Sequence, residues 1–248
     1  DVHLLRTRLH AAVEPADRVE VFVQVQDSRR FGAGDPARAR GTMDPSAGQL
    51  DLHQVYFEVD GLLGANLSLK GGRQELAYGN QRLIGAVGWS NVGRTFDAGV
   101  LSYEGDRASA DFFAARLVGS PLEGTGSENL FGLYSTWAVG GGHSLEAFAL
   151  FDNNTNEIEG GEGTMVDRLA RFTPGITLRG DTSPLSYVLE AAYQTGKEAL
   201  SGRKGRLSIQ ASLLSAYAEY GVRSASGLTL GAGYTRLSGD ADRTVDEE

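Results

Sequence analysis

Residues 4–26 read LLRTRLHAAVEPADRVEVFVQVQ. Leu5, Thr7, Leu9, Ala11 and Val13 alternate here with Arg6, Arg8 and His10. After Pro15, Ala16 and Asp17 the alternation resumes, with Val19, Val21, Val23 and Val25 set against Glu20, Gln24 and Gln26. Successive side chains of a strand point to opposite faces, so the stretch predicts a β-hairpin with one apolar and one polar face. Each arm is about ten residues long, enough for a tilted strand to cross a bilayer, whereas strands of soluble sheets average about five or six.

The same period recurs along the chain in about twelve segments, the pattern of a membrane-spanning barrel. Val55, Phe57 and Val59 oppose Gln54, Tyr56 and Glu58; Leu67 and Leu69 oppose Ser68 and Lys70; Phe96, Ala98 and Val100 oppose Thr95 and Asp97. Phe131, Leu133, Trp137 and Val139 oppose Tyr134 and Thr136, and Leu145, Ala147, Ala149 and Phe151 oppose Ser144, Glu146 and Asp152. Phe172, Ile176 and Leu178 oppose Arg171, Thr173, Thr177 and Arg179; Leu185, Tyr187, Leu189, Ala191 and Tyr193 oppose Glu190 and Gln194; Leu228, Leu230, Ala232 and Tyr234 oppose Thr229 and Thr235. Facing stays open at 71–73, where Gly71 and Gly72 offer a bulge, and at 107–118 and 206–220, where Ala, Ser and the adjacent Leu213 and Leu214 blur the period.

Connections alternate in length. Short turns fall near 15–17, 60–64, 104–106, 140–142, 180–184 and 223–227, and long polar ones near 31–48, 78–90, 119–128, 152–165 and 196–204. An up-and-down meander with two unlike rims requires this rhythm, and a soluble sandwich does not. No run approaches the roughly 18 apolar residues of a membrane-spanning helix. The 34 Gly and 6 Pro suit a β-rich chain, and the absence of Cys removes disulfides and thiolate metal sites. A net charge of −9 runs against a nucleic-acid partner. The chain opens at Asp1 with no charged and apolar leader, so an export signal is expected to have been removed or left out of this sequence.

The stretch Gly72-Arg73-Gln74-Glu75-Leu76-Ala77-Tyr78-Gly79, with Gln81-Arg82-Leu83 and then Trp89-Ser90-Asn91-Val92-Gly93-Arg94-Thr95-Phe96-Asp97, resembles the alginate-export family of outer-membrane porins. Asp111-Phe112-Phe113-Ala114-Ala115-Arg116 extends the match, and Arg171-Phe172-Thr173-Pro174-Gly175 and Gly233-Tyr234-Thr235-Arg236-Leu237-Ser238-Gly239-Asp240 are similar to later family segments. The resemblance implies a single-chain barrel of about 18 strands, with an arginine-lined lumen for anionic polysaccharide. This chain supplies about twelve strands and ends in acidic Asp246, Glu247 and Glu248, so one barrel domain over 1–248, incomplete at its C-terminus, is expected.

Arg6, Arg8, Lys70, Arg171 and Arg179 fall on polar strand faces, and Arg73, Arg94 and Arg116 belong to the resembling motifs. Guanidinium groups along a pore would form a ladder of oxyanion sites, since the planar fork pairs with carboxylates and keeps its charge. The plainer alternative pairs them with Glu20, Glu58, Asp97, Asp111, Glu146 and Glu190, which would only make the wall hydrophilic. Tyr56 and Tyr134 sit on the polar face, where a substrate would touch them. Tyr103, Tyr187, Tyr193, Tyr217, Tyr220, Tyr234, Trp89 and Trp137 are candidates for interfacial girdles. Asp152, Asn153, Asn154, Asn156, Glu157, Glu159 and Glu162 make an oxygen-rich loop without EF-hand order, and a solvated loop is the expectation. His3, His10, His53 and His143 show no metal-ligand spacing, so no catalytic residue, metal or cofactor is assigned.

The expectation is therefore an all-β, antiparallel up-and-down transmembrane barrel in the bacterial outer membrane. It contacts lipid and passes anionic or neutral saccharides or small acids by diffusion, with its solute and any periplasmic export partner unspecified. An outer-membrane barrel enzyme or a soluble β-structured carbohydrate-binding module is the alternative.

Overall fold

The computed structural model describes residues 3–31, 50–64, 66–117, 127–160, 163–199, 206–222, 227–239 and 245–246. They form strands β1 (His3–Ala16), β2 (Val19–Phe31), β3 (Leu50–Asp60), β4 (Leu67–Gln74), β5 (Phe96–Glu104), β6 (Ala108–Leu117), β7 (Ser127–Gly140), β8 (His143–Gly160), β9 (Gly163–Thr182), β10 (Leu185–Ala199), β11 (Arg206–Gly221), β12 (Thr229–Leu237) and the short β13 (Val245–Asp246). Hydrogen-bonded neighbours follow chain order from β1 to β12, and β13 pairs with β11. The ladders joining β1 to β4 and β7 to β13 are antiparallel, so the chain is an up-and-down β-sheet protein. It divides into two compact units, residues 1–101 with 114–122, and residues 102–113 with 123–248.

In the first unit the registers line up like with like. Leu9 faces Val25, Ala11 faces Val23 and Val13 faces Val21 on one side of the β1–β2 pair, while Arg8 faces Gln26 and His10 faces Gln24 on the other. Val21 and Val23 then face Phe57 and Val55 on β3, and Phe22 faces Tyr56. The ladder shifts between Gln24 and Val25, which face Gln54 and Leu52, so His53 is the extra residue of a bulge.

Burial is the reverse of an ordinary soluble core. Leu9 is 67% exposed and Ile176 54%, whereas Gln26 is 1% and Thr177 3% exposed. Water-soluble folds keep contiguous exposed apolar surface small, so whole strand faces of exposed Leu, Val and Phe call for a lipid solvent.

One facing left open by the sequence is decided and two expectations are corrected. The β3–β4 ladder runs unbroken from Asp60–Ser68 to Val55–Arg73, so Gly71 and Gly72 do not reverse the facing, and Arg73 shares the exposed apolar face with Val55, Phe57 and Leu69. Gly72 instead answers a close approach: with φ 130°, a Cβ there would lie 2.3 Å from the Val55 carbonyl oxygen. Strand β5 is turned over relative to its predicted facing. Phe96, Ala98 and Val100 are buried, and Asp97, Gly99, Leu101 and Tyr103 are exposed. Finally, residues 152–160 and 163–165 of the expected oxygen-rich loop are strand, because β8 and β9 remain paired out to Gly160–Gly163. The expected long connections at 31–48, 119–128 and 196–204 fall largely outside the described residues.

In the second unit Trp137 faces Leu145, Leu133 faces Ala149 and Phe131 faces Phe151. The apolar face continues through Leu145–Leu178, Ala147–Ile176, Leu178–Leu189, Ala191–Leu214 and Tyr220–Leu230. Leu213 and Tyr217 lie on the other face, with Ser215 and Glu219. Two aromatic rings occupy space that missing side chains leave on neighbouring strands: Phe113, fully buried, over Gly132, and Phe148 over Gly175. A Cβ on Gly132 would stand 2.0 Å from Phe113 Cζ, and one on Gly175 2.2 Å from Phe148 Cζ. Gly132→Val should therefore cost ~1–3 kcal/mol of folding stability, as other overpacked sites do, and Phe113→Ala should make the valine tolerable. Urea titration of vesicle-folded single and double variants reads this, and additive losses in the double variant would refute the ring-over-glycine contact.

Candidate functional site

The connection between β4 and β5 lies against the polar face of β1, β2 and β3. It is held in irregular turns by its own backbone: the Tyr78 and Gln81 N–H groups donate to Ile84 O and Tyr78 O at 3.2 and 2.9 Å, and the Arg94 N–H donates to Ala86 O at 2.7 Å. Several of its carbonyls have no strand partner and accept from side chains beneath them. Arg6 Nη1 donates to Ser90 O at 2.8 Å, Gln26 Nε2 to Val92 O at 2.7 Å and Ser28 Oγ to Asn91 O at 2.9 Å. Buried carbonyls left unmatched would be costly, so these three strand residues set where the segment rests.

Its start is clamped by Glu75. Oε1 accepts from Arg8 Nη1 at 3.0 Å and lies 2.8 Å from Nε2 of the buried His53, while the Glu75 N–H donates to Gln54 Oε1 at 3.1 Å. Arg8 Nε also donates to Gln26 Oε1 at 2.6 Å. The hydrogen bond from His53 holds the Glu75 carboxyl below the usual carboxylate range; burial opposes this and Arg8 adds to it. Arg6 and Arg8 thus lie on the polar face as expected, but their donors position the covering segment and are not arrayed as a free ladder.

Further along this face Lys70 Nζ is 3.5 Å from Glu58 and 3.8 Å from the Tyr56 ring centroid, and Tyr56 stacks on Phe22, which stacks on His10. The remaining motif arginines lie elsewhere. Arg73, on the apolar face, makes a two-point pair with Asp97, Nε to Oδ1 at 2.9 Å and Nη2 to Oδ2 at 3.3 Å. Arg116 alternates with buried Phe113 and Ala115 and is exposed beside Phe112 and Ala114. Arg94 is exposed in the connection ahead of β5. The expected lumenal placement of Arg73 and Arg116 is corrected by these registers and exposures. Trp89 stands in the covering segment between two carbonyls that accept from Arg6, so it belongs to no girdle on the apolar face.

In the second unit Arg171 and Arg179 share the polar face of β9 with Thr173 and Thr177. They are eight residues apart, about 27 Å at the usual strand rise. Arg171 Nε donates to Asp152 Oδ2 at 2.8 Å, and Arg179 Nε to Glu146 Oε1 at 2.6 Å. Tyr134 donates to the other Glu146 oxygen and stacks on Phe148. Among the described residues neither arginine uses its terminal nitrogens, and both side chains are about a third exposed. Carboxylates thus meet Arg8, Lys70, Arg171 and Arg179 alike, as the plainer alternative anticipates. Glu58, Asp97 and Glu146 are partners as expected, and Glu75 and Asp152 are partners that the sequence reading does not name. Gln26, Ser28, His53, Glu75 and Asn91 were not singled out from the sequence as site residues, because their roles depend on a segment folded back over the strands. The only sequence sign of it was an apolar run, Leu83, Ile84, Ala86 and Val87, in a connection otherwise read as polar.

Because folding lowers the Glu75 pKa, its contribution is complete above the ordinary carboxylate range and is lost as pH falls through the lowered value. Glu75→Gln should therefore loosen the covering segment at neutral pH by ~1–3 kcal/mol, with faster amide exchange at Tyr78, Gln81 and Arg94 than in the unsubstituted chain. Unaltered exchange at these amides would remove Glu75 from the clamp.

The family model for alginate export matches residues 1–244. No curated protein matches the chain. Among solved structures it is similar to a loop L8 deletion mutant of OmpT, an outer membrane protein of Vibrio cholerae, at 14% identity and a TM-score of 0.51, covering 96% of this chain and 83% of that one. OmpT of Vibrio cholerae expressed in the outer membrane is a second neighbour, at 14% identity and a TM-score of 0.47, covering 97% and 77%. With antiparallel strands hydrogen-bonded in chain order, the chain is an up-and-down β-barrel protein of the bacterial outer membrane, and it belongs to the alginate-export family.

Proposed function

We propose that the polar strand faces line a hydrated passage through which acidic or neutral saccharides and small acids diffuse, with no bond made or broken. The observation that carries this reading is the arrangement of Arg171 and Arg179. Each is anchored to a carboxylate through Nε, which leaves its terminal nitrogens to meet a passing carboxylate or hydroxyl group. The anchoring carboxylates offset the positive charge, so a solute is bound weakly enough to leave, as conduction requires. Tyr134 fixes the second oxygen of Glu146 and so holds the Arg179 carboxylate in place.

A catalytic reading has less support. His53 is committed to Glu75 beneath the covering segment, and His143 Nδ1 lies 3.0 Å from the Tyr187 hydroxyl on the apolar face. Among the described residues neither hydrogen-bonds to a serine or to a second acid. A soluble carbohydrate-binding module is disfavoured by the exposed apolar faces.

Arg171→Glu and Arg179→Glu should each shift planar-bilayer reversal potentials toward cation selectivity. The permeability ratio should change roughly two- to five-fold, the scale of an accessible ion pair. Reversal potentials unmoved in both variants would sink the anion-contacting role of the β9 arginines. Turnover of a lipid or peptide substrate without conductance would favour an enzyme.

A further inference from the structure

Tyr217, expected in an interfacial girdle, stands instead on the polar face of β11 with Ser215 and Glu219. Two glycines of the neighbouring strand make room for its ring. Tyr217 faces Gly233 on β12, and the ring runs along that strand as far as Gly231: a Cβ on Gly233 would lie 3.0 Å from Tyr217 Cδ2, and one on Gly231 3.1 Å from the hydroxyl oxygen. The hydroxyl donates to Glu219 Oε1 at 2.5 Å, which fixes the far end of the ring. Covering glycines is a familiar use of an aromatic in a sheet. Tyr217 nevertheless stays 46% exposed, so its contacts with β12 occupy only part of its surface.

The ladders carry one level of the polar face across four strands of the second unit. Arg179 on β9 faces Val188 on β10, Val188 faces Tyr217 on β11, and Tyr217 faces Gly233 on β12. Arg179 and Tyr217 are thus two strand spacings apart, about 10 Å at the backbone, with Val188 between them. Both long side chains lean away from the valine: Glu146 draws Arg179 toward β8, and Tyr217 reclines on β12. What remains is a groove with an apolar floor, an aromatic wall and a guanidinium wall, as wide as one six-membered sugar ring.

The groups around the groove favour a ring without charge. Asp181, Glu190 and Glu219 each lie one alternation beyond Arg179, Val188 and Tyr217 on the same faces, and Glu146 holds Arg179 itself. Acid groups therefore outnumber the one guanidinium. An anion meets that excess unfavourably, whereas sugar hydroxyls donate to carboxylates.

We infer that the groove over Val188, between Arg179 and Tyr217, is a subsite for a neutral pyranose residue. The C–H face of the sugar lies against Tyr217, whose ring is electron-rich on its face. A hydroxyl donates to Glu219 Oε2, which takes no hydrogen bond among the described residues, and the terminal nitrogens of Arg179 donate to sugar oxygens. An open-chain polyol carries the same hydroxyls without a flat face to stack. The subsite rests on the hydrated-passage reading, since solute must reach the polar face, and it makes neutral sugar rings the class held at this level.

Isothermal titration calorimetry of the full chain in detergent tests this with maltotriose, cellotriose and mannotriose, set against sorbitol and trigalacturonate. At least one neutral trisaccharide should bind, and bind more tightly than trigalacturonate, with no binding of sorbitol. Tyr217→Ala should weaken it roughly ten-fold, while Tyr217→Phe, which keeps the ring, should stay within about two-fold of the unsubstituted chain. Val188→Phe fills the floor and leaves the ring over β12, so it should abolish binding and decides the matter even where Tyr217→Ala disturbs β12. A tyrosine that only covers glycines predicts an unchanged titration in Val188→Phe, and that result overturns the subsite. So does sorbitol binding as well as the sugars, trigalacturonate binding more tightly than all three, or none of the three binding at all. Planar-bilayer conductance of the same preparation separates the two readings: conductance without saccharide binding sinks the subsite alone, and saccharide binding without conductance upholds the subsite and sinks the passage.

Discussion

Inside hydrocarbon no backbone amide can be left without a partner, and this constraint governs the whole chain. Antiparallel strands hydrogen-bonded in chain order meet it from β1 to β12. Once the backbone is paired, only the side chains remain free to choose a solvent, and the period of two sorts them. Leu9, Val13, Phe57 and Ile176 go to one face, and Gln26, His53, Thr177 and Glu190 to the other. No apolar core in the usual sense is needed along most strands, because the lipid takes its place.

The same constraint explains the β4–β5 connection. A segment of irregular backbone survives at strand depth only where something answers its carbonyls, and here Arg6, Gln26 and Ser28 do so. Glu75, Arg8 and His53 then fix where the segment begins. Arg6 and Arg8 are therefore bound up in architecture, whereas Arg171 and Arg179 are each held to a carboxylate through Nε.

How much of this was legible depended on whether the information was local. The Val19–Gln26 alternation states its own facing, and the ladder with β1 and β3 agrees residue for residue up to the bulge at His53. Strand β5 shows where local reading fails. Phe96, Ala98 and Val100 look like lipid-facing residues, yet they are buried, as are Leu76, Ile84 and Ala86 of the covering segment. Apolar residues identify a dry environment, and a folded-in segment is as dry as a bilayer. Arg73 failed for a related reason: a glycine pair suggested a bulge, but the ladder passed through it unbroken. The site suffered most, since the clamp joins residues such as Arg8 and Glu75, or Ser28 and Asn91, that are distant in the chain and carry no spacing signal.

The central claim is that strand alternation sends one face to lipid while the β4–β5 segment folds to the other. The chain's two tryptophans lie on the two sides of that division, Trp137 exposed on the apolar face of β7 and Trp89 in the covering segment. Fluorescence of single-tryptophan variants, Trp89→Phe and Trp137→Phe, in vesicles with brominated acyl chains separates them. The account predicts strong quenching when Trp137 alone remains, and little when Trp89 alone remains, with aqueous acrylamide giving the reverse order. Equal or inverted quenching by the brominated lipid would contradict it.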